Sequence, residues 1–591
     1  MPNLLIQRTI KPVELTDDKT HQSLNHFNYQ HSVLVQKGLR IDMFCHQHDA
    51  EPRALETAET VIYYQGSIFF YRESGDTLRQ LERLYLAGDS IPAAIESGRF
   101  LILIYDKAQD KLLLINDRFG GMPLFCYRDE ESVIICTELK GILGSELLTS
   151  QLTLNYAAIA NDIFYDYPLG TKTYLEEVNR QAPATQLTVE NGKCAETAYW
   201  AWDSSFNKPL TADLLHEMLD TFRDGIGKQR RKYGGLYLSD ISSGYDTRLI
   251  YINDPDVHHC LTYGDPDNFE YKEVLNTLAL KPATLINART RLSVDKLMRL
   301  FALHDNTGSM YSTQSIDMFD TLAARPERFE WVHDGLLGET ILGGKYLDES
   351  KEFMAEFGIG RSYTRADMRI LFFNKALLTP EFRQTLEAHD DVEAVRDRFL
   401  VERDGSIDYK RSLVKFKFYN EGINFNILSG TNIRNKWTNR HTPILYYPFW
   451  DIYNRIRFED IRIKKSYTRL YNILPRQYRR LRDDFFKAPF NWPYKVRFLS
   501  AAAQQALIRM NIYQHKGYIT FGEDLAGDAE LQDFFREKLT CSGVSHLFSR
   551  AYIEGILSRP DFMRKQYAYL NRVLGLVLFI EKYGAKICNP L

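Results

Sequence analysis

The hydrophobic pattern changes character about a third of the way along the chain. Up to roughly residue 200 the apolar residues fall in short runs separated by polar turns: VIYYQGSIFFYR, RFLILIYD, KLLLIND and SVIICTE. Runs of this length, rich in Ile, Val, Tyr and Phe, predict β-strands. Lys107–Asp110, between two of them, predicts a hairpin. LRQLERLYLAG spaces its apolar residues near i, i+3, i+4 and i+7 and predicts a helix. These elements predict an α+β domain on antiparallel sheets, ending near Asp203, with Ser204–Pro209 (SSFNKP) as a linker.

From residue 210 strands and helices alternate. LLHEMLDTFRDGIGKQ is amphipathic at helical spacing, GGLYLSDIS predicts a strand, and YDTRLIYIN opens a helix. HHCLTYG, EYKEVLNTLAL and PATLINA continue as strand, helix, strand. Alternation of this kind predicts a parallel, doubly wound sheet, which binds ligands outside the carboxyl ends of its strands. Beyond about Tyr363 the chain reads as mostly helical. The division expected is 1–205 and 210–591. The longest apolar run, Val573–Ile580, is far shorter than the about 20 residues of a membrane span, so it predicts a buried helix.

Composition narrows the class. The 591 residues suit two to four domains. With 44% hydrophobic and 26% charged residues, a large core is expected. The formal charge of −3 gives no electrostatic footprint for a dedicated nucleic-acid partner. Arg476, Arg479, Arg480 and Arg482 form a local basic cluster, read as a solvated helix face. None of the seven cysteines forms a CxxC pair, which argues against structural zinc. An odd, sparse set suits a reducing compartment, and the N-terminus lacks signal-peptide architecture. A soluble cytoplasmic protein is the expectation.

Three segments carry candidate chemistry. In Ile241–Thr247 (ISSGYDT) a strand ends in a hydroxyl-rich turn and a helix begins. Backbone N–H groups there, with the hydroxyls of Ser242, Ser243 and Thr247, can form an anion cradle, and Gly244 allows close approach. Asp246 suits such a place if it holds Mg²⁺ against phosphate oxygens. The alternative is an ordinary capped turn. In Phe329–Gly344 a predicted strand runs into a loop with Gly335, Gly338, Gly343, Gly344 and one acid after the turn, Glu339. That carboxylate could face the same metal, or the loop could be purely structural. In Lys464–Arg469 (KKSYTR), Lys465 and Arg469 lie one helical turn apart and share a face. Paired cations suit a polyphosphate or departing pyrophosphate, or else a solvated basic face.

Taken in order, these residues resemble the asparagine synthetase family over most of the chain. The family's SGGxDS phosphate loop is similar to Ser242–Thr247 (SSGYDT), and its GxGGDExxGGY loop to Asp334–Tyr346 (DGLLGETILGGKY), with Glu339 at the metal-binding acid. Its KxxLR element resembles Lys465–Arg469, and its second strand, which touches the adenosine, resembles Leu261–Gly264 with Tyr263. In the first half, Gly98–Asp106, Leu114–Tyr127 and Cys136–Lys140 (CTELK) resemble the GxFAxxxxD, RDxxGxxPLYY and ASExKAL elements. The resemblance implies an N-terminal Ntn-hydrolase-like antiparallel sandwich joined to a doubly wound ATP-pyrophosphatase-type domain with a helical extension. It implies ATP and Mg²⁺ as cofactors, a small-molecule or peptide carboxylate and an amine donor as substrates, no nucleic acid and no membrane span. The family often dimerises, which leaves a homodimer open.

Departures from the family shape the expectation. Pro2 stands where the glutaminase nucleophile, a cysteine, follows the initiator Met. Proline has no thiol, so a glutaminase-like domain without glutamine hydrolysis is expected. Ser243 replaces a glycine, Glu339 replaces an aspartate, and Leu336 stands where true asparagine synthetases carry a glutamate. The function expected is an ATP-dependent ligase that activates a carboxylate as an acyl-adenylate and forms an amide. Ser243–Arg248 (SGYDTR) resembles versions in surface-polysaccharide clusters more than the housekeeping enzyme's; β-lactam synthetases and lasso-peptide cyclases are relatives that also lack the cysteine. A non-catalytic scaffold with an eroded fold is the rival from another class. A tRNA-modifying pyrophosphatase would need catalytic cysteines, and only Cys260, inside a predicted strand, lies near these loops.

Overall fold

In the computed structural model, residues 2–10, 15, 18–36, 38–47, 49, 51–190, 192–202, 206–307, 310–338, 342, 344, 346–356, 358–368, 374–483, 486–510 and 521–588 are described. The first half forms two six-stranded sheets. One contains β1 (Leu4–Thr9), β2 (Gln30–Gln36), β3 (Leu39–Cys45), β8 (Phe125–Arg128), β9 (Ser132–Cys136) and β10 (Val178–Arg180), in the order β10-β8-β9-β1-β3-β2. The other contains β4 (Ala54–Glu56), β5 (Thr60–Phe70), β6 (Ile95–Asp106), β7 (Lys111–Asn116), β11 (Thr185–Glu190) and β12 (Lys193–Ala198), in the order β12-β11-β7-β6-β5-β4. Every pairing in both is antiparallel. Leu4, Ile6, Ile41 and Met43 of one sheet and Tyr63, Leu101, Leu103 and Leu114 of the other share one core cluster, so the sheets face each other as a sandwich. The predicted hairpin is present: Asp106 pairs with Lys111, and Asp110 takes a positive φ of 49° to turn the chain. The predicted helix is α1 (Thr77–Leu86), capped by the Asp76 carboxylate.

The second half is built on a five-stranded sheet whose pairings are all parallel. Its strands are β13 (Tyr237–Asp240), β14 (His259–Thr262), β15 (Thr284–Asn287), β16 (Trp331–His333) and β17 (Asn439–His441), in the order β15-β14-β13-β16-β17. The chain adds strands outward on one side of β13, then returns to the other. That reversal opens a crevice at the carboxyl end of β13. The amphipathic α2 (Ala212–Tyr233) precedes β13, and the crossovers include α3 (Tyr245–Asn253) and α4 (Phe269–Leu280). The strand β17 was not predicted; it reads Asn-Arg-His, yet all its residues are buried.

The predicted linker is in fact docked. Its first residues lie outside the described set, but Phe206 is buried and stacks on Phe458 at 4.4 Å, and Lys208 N–H donates to Arg455 O at 2.7 Å. The apolar run Val573–Ile580 lies buried in the helix α6 (Pro560–Tyr583), which packs into a cluster drawing residues from both halves. Ahead of it in the chain, α5 spans Lys465–Ile473. Leu152–Thr153 pairs in parallel with Ile587–Cys588, joining the halves once more. Among the described helices none is long and apolar enough to cross a membrane.

Buried charge also ties the halves. Glu138, from the CTELK turn, is only 4% exposed and meets His26 at 2.9 Å, Lys140 at 3.1 Å and the Lys436 ammonium. Burial opposes ionisation there, but His26, Lys140 and Lys436 together hold the Glu138 carboxyl well below its ordinary range. Burial pushes the imidazoles of His26 down to about 4 and of His304 and His46 down to about 3. Unfolding frees these rings to take protons near pH 6.5. Their contribution to stability is therefore complete above about pH 6.5 and is lost as pH falls through the lower folded values. We expect the wild-type unfolding midpoint to fall between pH 7 and pH 4.5, and His26→Gln to flatten that fall. A wild-type and a variant profile of equal slope in urea titrations would contradict the assignment.

Candidate functional site

The turn after β13 closes on itself. Thr247 Oγ1 accepts from Ser242 N at 3.0 Å and shares a hydrogen bond with Ser242 Oγ at 3.0 Å. Ser242 Oγ also accepts from Gly244 N at 3.1 Å. Gly244 caps α3, which places Asp246 in its first turn, where the helix dipole favours a carboxylate. Behind the turn, Arg248 is fully buried and donates to Gly244 O at 3.0 Å, to Arg482 O at 2.9 Å and to Ser243 O. Ser243 Oγ is buried without a hydrogen-bond partner. Arg482 in turn pairs with buried Glu273 at 2.5 Å while its own side chain stays exposed, so this member of the basic cluster braces the turn from the solvated side.

The loop after β16 packs directly on that turn. A Cβ on Gly335 would lie 2.8 Å from Asp246 Cβ and 2.9 Å from Thr247 N. A Cβ on Gly338 would lie 2.3 Å from both Asp246 Cγ and Oδ1. Glycine at these positions is what lets the second loop touch the carboxylate. Leu337 between them takes a positive φ of 62°, a region most side chains avoid, and is buried. Glu339 lies outside the described residues.

The third segment crosses both loops. In α5 (Lys465–Ile473), Tyr467 stacks on Tyr245 at 4.8 Å, Tyr471 OH donates to Tyr245 O at 2.7 Å, and Ser466 Oγ donates to Leu342 O. Lys464, just ahead of the helix at φ 58°, lies 5.6 Å from the Tyr245 ring. Lys465 is half-buried at the amino end of this helix. Arg469 instead meets Asp460 at 3.2 Å; that carboxylate also takes Arg457 at 2.7 Å and the N–H of Leu210 at 3.0 Å. Arg469 thus braces the start of the second half.

At the strand ends lies a group the sequence reading missed. Arg440, fully buried on β17, meets Asp240 at the end of β13 at 2.9 Å and Asp334 at the end of β16 at 3.3 Å. Burial opposes its charge, but the two carboxylates hold the guanidinium above its ordinary range. Thr442 Oγ1 donates to Asp334 at 2.6 Å, and Arg434 reaches Asp240 at 3.3 Å. Arg434 also lies over the Tyr263 ring at 4.9 Å, and Tyr263 is 9% exposed. Carboxylates ending adjacent parallel strands were a readable signal for Asp240 and Asp334; Arg440 left none, because β17 is short and polar.

The donor chemistry fits a hard cation and phosphate in kind. Asp246 and the hydroxyls offer oxygen ligands, as Mg²⁺ prefers, and Ser243 Oγ is an orphaned buried hydroxyl. Two amide donors of the cradle, Ser242 and Gly244, are engaged by the turn's own hydroxyls. In the sandwich, Pro2 is buried and its carbonyl accepts from Gln65 at 2.8 Å. Burial pushes the thiols of Cys45 and Cys136 up to about 12, away from nucleophilic character.

Residues 40–200, which make up most of the sandwich, match the glutamine amidotransferase domain. A Methanocaldococcus jannaschii protein named asparagine synthetase (glutamine-hydrolyzing) 2 is 27% identical over 117 residues, 18% of this chain and 22% of that protein. Domain match and relative point the same way, to similarity with asparagine synthetase over these stretches. The chain spans only about a fifth of the relative's length. Among solved structures, a glutamine phosphoribosylpyrophosphate amidotransferase from B. subtilis, complexed with ADP and GMP, overlaps at 8% identity and TM-score 0.23. A structure titled as the allosteric regulatory enzyme of purine biosynthesis overlaps at 8% and 0.22. Each overlap covers 40% of this chain and 60% of the other, too loosely to bear on function.

Two substitutions test the packing. Gly338→Ala forces a methyl into the Asp246 carboxylate and is expected to cost about 1–3 kcal/mol, as overpacking does. The readout is a lower urea midpoint at unchanged slope. Arg440→Met leaves Asp240 and Asp334 without their shared cation and is expected to cost about 3–5 kcal/mol. Adding Asp240→Asn should recover part of that loss; strictly additive losses in the double-mutant cycle would refute the coupling.

Proposed function

We propose that this chain is an ATP-dependent, amide-forming ligase of asparagine synthetase type that does not draw its nitrogen from glutamine. The observation that carries the reading is the contact of Gly335 and Gly338 with Asp246 at the carboxyl end of the parallel strands. The crossing of both loops by α5 supports it further. ATP is here a substrate, with its phosphates over Ser242–Thr247. Asp246 and Glu339 are the residues that would hold Mg²⁺, which when bound spreads the phosphate charge.

The chain's own residues have separable parts in this reading. Arg248 fixes the turn through the carbonyls of Ser243 and Gly244. Ser242 and Thr247 exchange their mutual hydrogen bond for phosphate oxygens. Lys465 supplies positive charge toward the departing pyrophosphate. Arg469, engaged with Asp460, is a positioning residue for α5. A substrate carboxylate attacks the α-phosphorus, forming an acyl-adenylate and releasing pyrophosphate. An amine then attacks the acyl carbon, giving an amide and AMP. The acid is a small molecule or peptide; the amine is free ammonia, a second molecule or a group on the acid itself. Pro2 in place of a nucleophilic cysteine supports a source other than glutamine.

A second reading, a non-catalytic scaffold, is favoured by the self-satisfied Ser242–Thr247 turn and by Arg434 over Tyr263. The two readings part on ATP. We expect Mg²⁺-dependent binding of ATP by calorimetry, and pyrophosphate exchange into ATP that needs a carboxylate and is lost in Asp246→Asn. No heat of ATP binding with Mg²⁺ present would leave the scaffold. Incubation with glutamine should yield no glutamate above blank, and release of glutamate would overturn the nitrogen-source assignment.

A further inference from the structure

Along β3, Arg40, Asp42 and Phe44 alternate with Ile41 and Met43, which point into the core between the sheets. The first three therefore share the outer face. On the edge strand β2, His31 pairs in register with Phe44 and stacks on its ring at 4.7 Å. Its Nε2 meets Asp42 Oδ1 at 2.9 Å. The helix Asp18–Leu24 brings the His21 ring to 4.0 Å from that of His31 and 5.6 Å from that of Phe44. One ligating atom each from His21, His31 and Asp42 thus falls within 4.8 Å of the other two. Among the described residues, no other three His, Cys, Asp or Glu side chains converge in this way.

Two imidazoles and a carboxylate are a donor set for a divalent first-row metal, zinc above all. Ligand atoms around a tetrahedral zinc stand about 3.3 Å apart. His31 and Asp42 are close to that spacing, and the 4.8 Å bound leaves side-chain rotation to close the set. Arg40 supports the carboxylate from behind. Its Nε and Nη2 donate to the two Asp42 oxygens at 2.8 and 2.9 Å, and its Nη1 donates to Leu15 O at 3.1 Å. Metal-binding carboxylates ordinarily have such outer partners, which fix their orientation. A carboxylate offers about four lone-pair sites. Arg40 occupies one on each oxygen, and on Oδ1 a metal can replace the proton shared with His31. The side chain of His31 is 19% exposed and that of Asp42 0%, so an ion enters from the imidazole side. The guanidinium repels an arriving cation, which makes this a weaker site than one with two carboxylates.

We propose that His21, His31 and Asp42 form a zinc-binding site, with water at the fourth position, that clasps the helix Asp18–Leu24 to the edge of the sandwich. The lack of CxxC pairs bears on thiolate zinc sites and leaves this nitrogen and oxygen set open. A metal here would tie down the chain that leads into an edge strand, where unpaired backbone groups need cover. The inference uses residues of the first half alone and does not depend on the ligase reading.

The test takes the full chain, stripped of metal by a chelator, and titrates it with Co²⁺ and then Zn²⁺. Wild type should bind one Co²⁺ with the visible bands of nitrogen and oxygen ligands. It should show no thiolate-to-cobalt charge transfer, which separates this site from the seven cysteines. Zn²⁺ should displace the cobalt and raise the thermal midpoint as its concentration rises. Even outer partners of a metal ligand are worth about 10–100-fold in affinity. In His21→Gln, which keeps the Arg40–Asp42 pair, the Zn²⁺ dissociation constant should therefore rise at least about tenfold. Should that variant fail to fold, His31→Gln serves in its place with the same expected rise. Equal zinc affinity in wild type and the folded variant would overturn the proposal. So would a cobalt spectrum dominated by thiolate, or no uptake of either metal.

Discussion

A charge taken out of water must find its opposite, and this constraint organises the second half of the chain. Three strands of the parallel sheet end in groups that could not be buried singly. Arg440 on the outermost strand settles the carboxylates of Asp240 and Asp334 on its two inner neighbours. The strand ends are thereby held in one plane, and the loops that follow them leave at fixed angles. The contact of Gly335 and Gly338 with Asp246 depends on those exits. In water such pairs contribute little; in the interior, removal of one partner leaves the other stranded.

The same rule governs how the halves meet. Glu138 gathers Lys140 from its own turn and Lys436 from the far half, so docking neutralises charge as well as covering apolar surface. Seen this way, the CTELK segment is an interdomain fastener rather than part of a reaction centre. The halves consequently act as one packed body across this seam, and a change in either is felt by its partner.

Elements whose burial is apolar were legible in the sequence. The strands through VIYYQGSIFFYR and RFLILIYD, the helix through LRQLERLYLAG and the alternation after residue 210 announced themselves because the hydrophobic effect writes a period into the chain. Asn439–His441 was not legible, because its burial rests on ion pairs and leaves no apolar trace. SSFNKP misled for the opposite reason: its composition resembles a linker, yet Phe206 anchors it in a core. The three candidate segments were singled out by their hydroxyls, glycines and cations, and the structure packs them against one another. That Arg469 would be committed to Asp460, and Tyr263 covered by Arg434, depended on residues distant in sequence that no local pattern could name.

The short pairing of Leu152–Thr153 with Ile587–Cys588 has a consequence for assembly in time. Gln151 and Cys588, which meet there, stand 437 positions apart. Closing so large a loop is entropically expensive and slow, and it cannot begin until ribosomal synthesis has delivered the far end. Leu152–Thr153, which lies outside the two sandwich sheets, therefore waits for this partner while the remainder of the polypeptide emerges. Loss of Ile587–Cys588 would leave Leu152–Thr153 without that strand partner, so a local change late in the sequence is felt at a point laid down long before it.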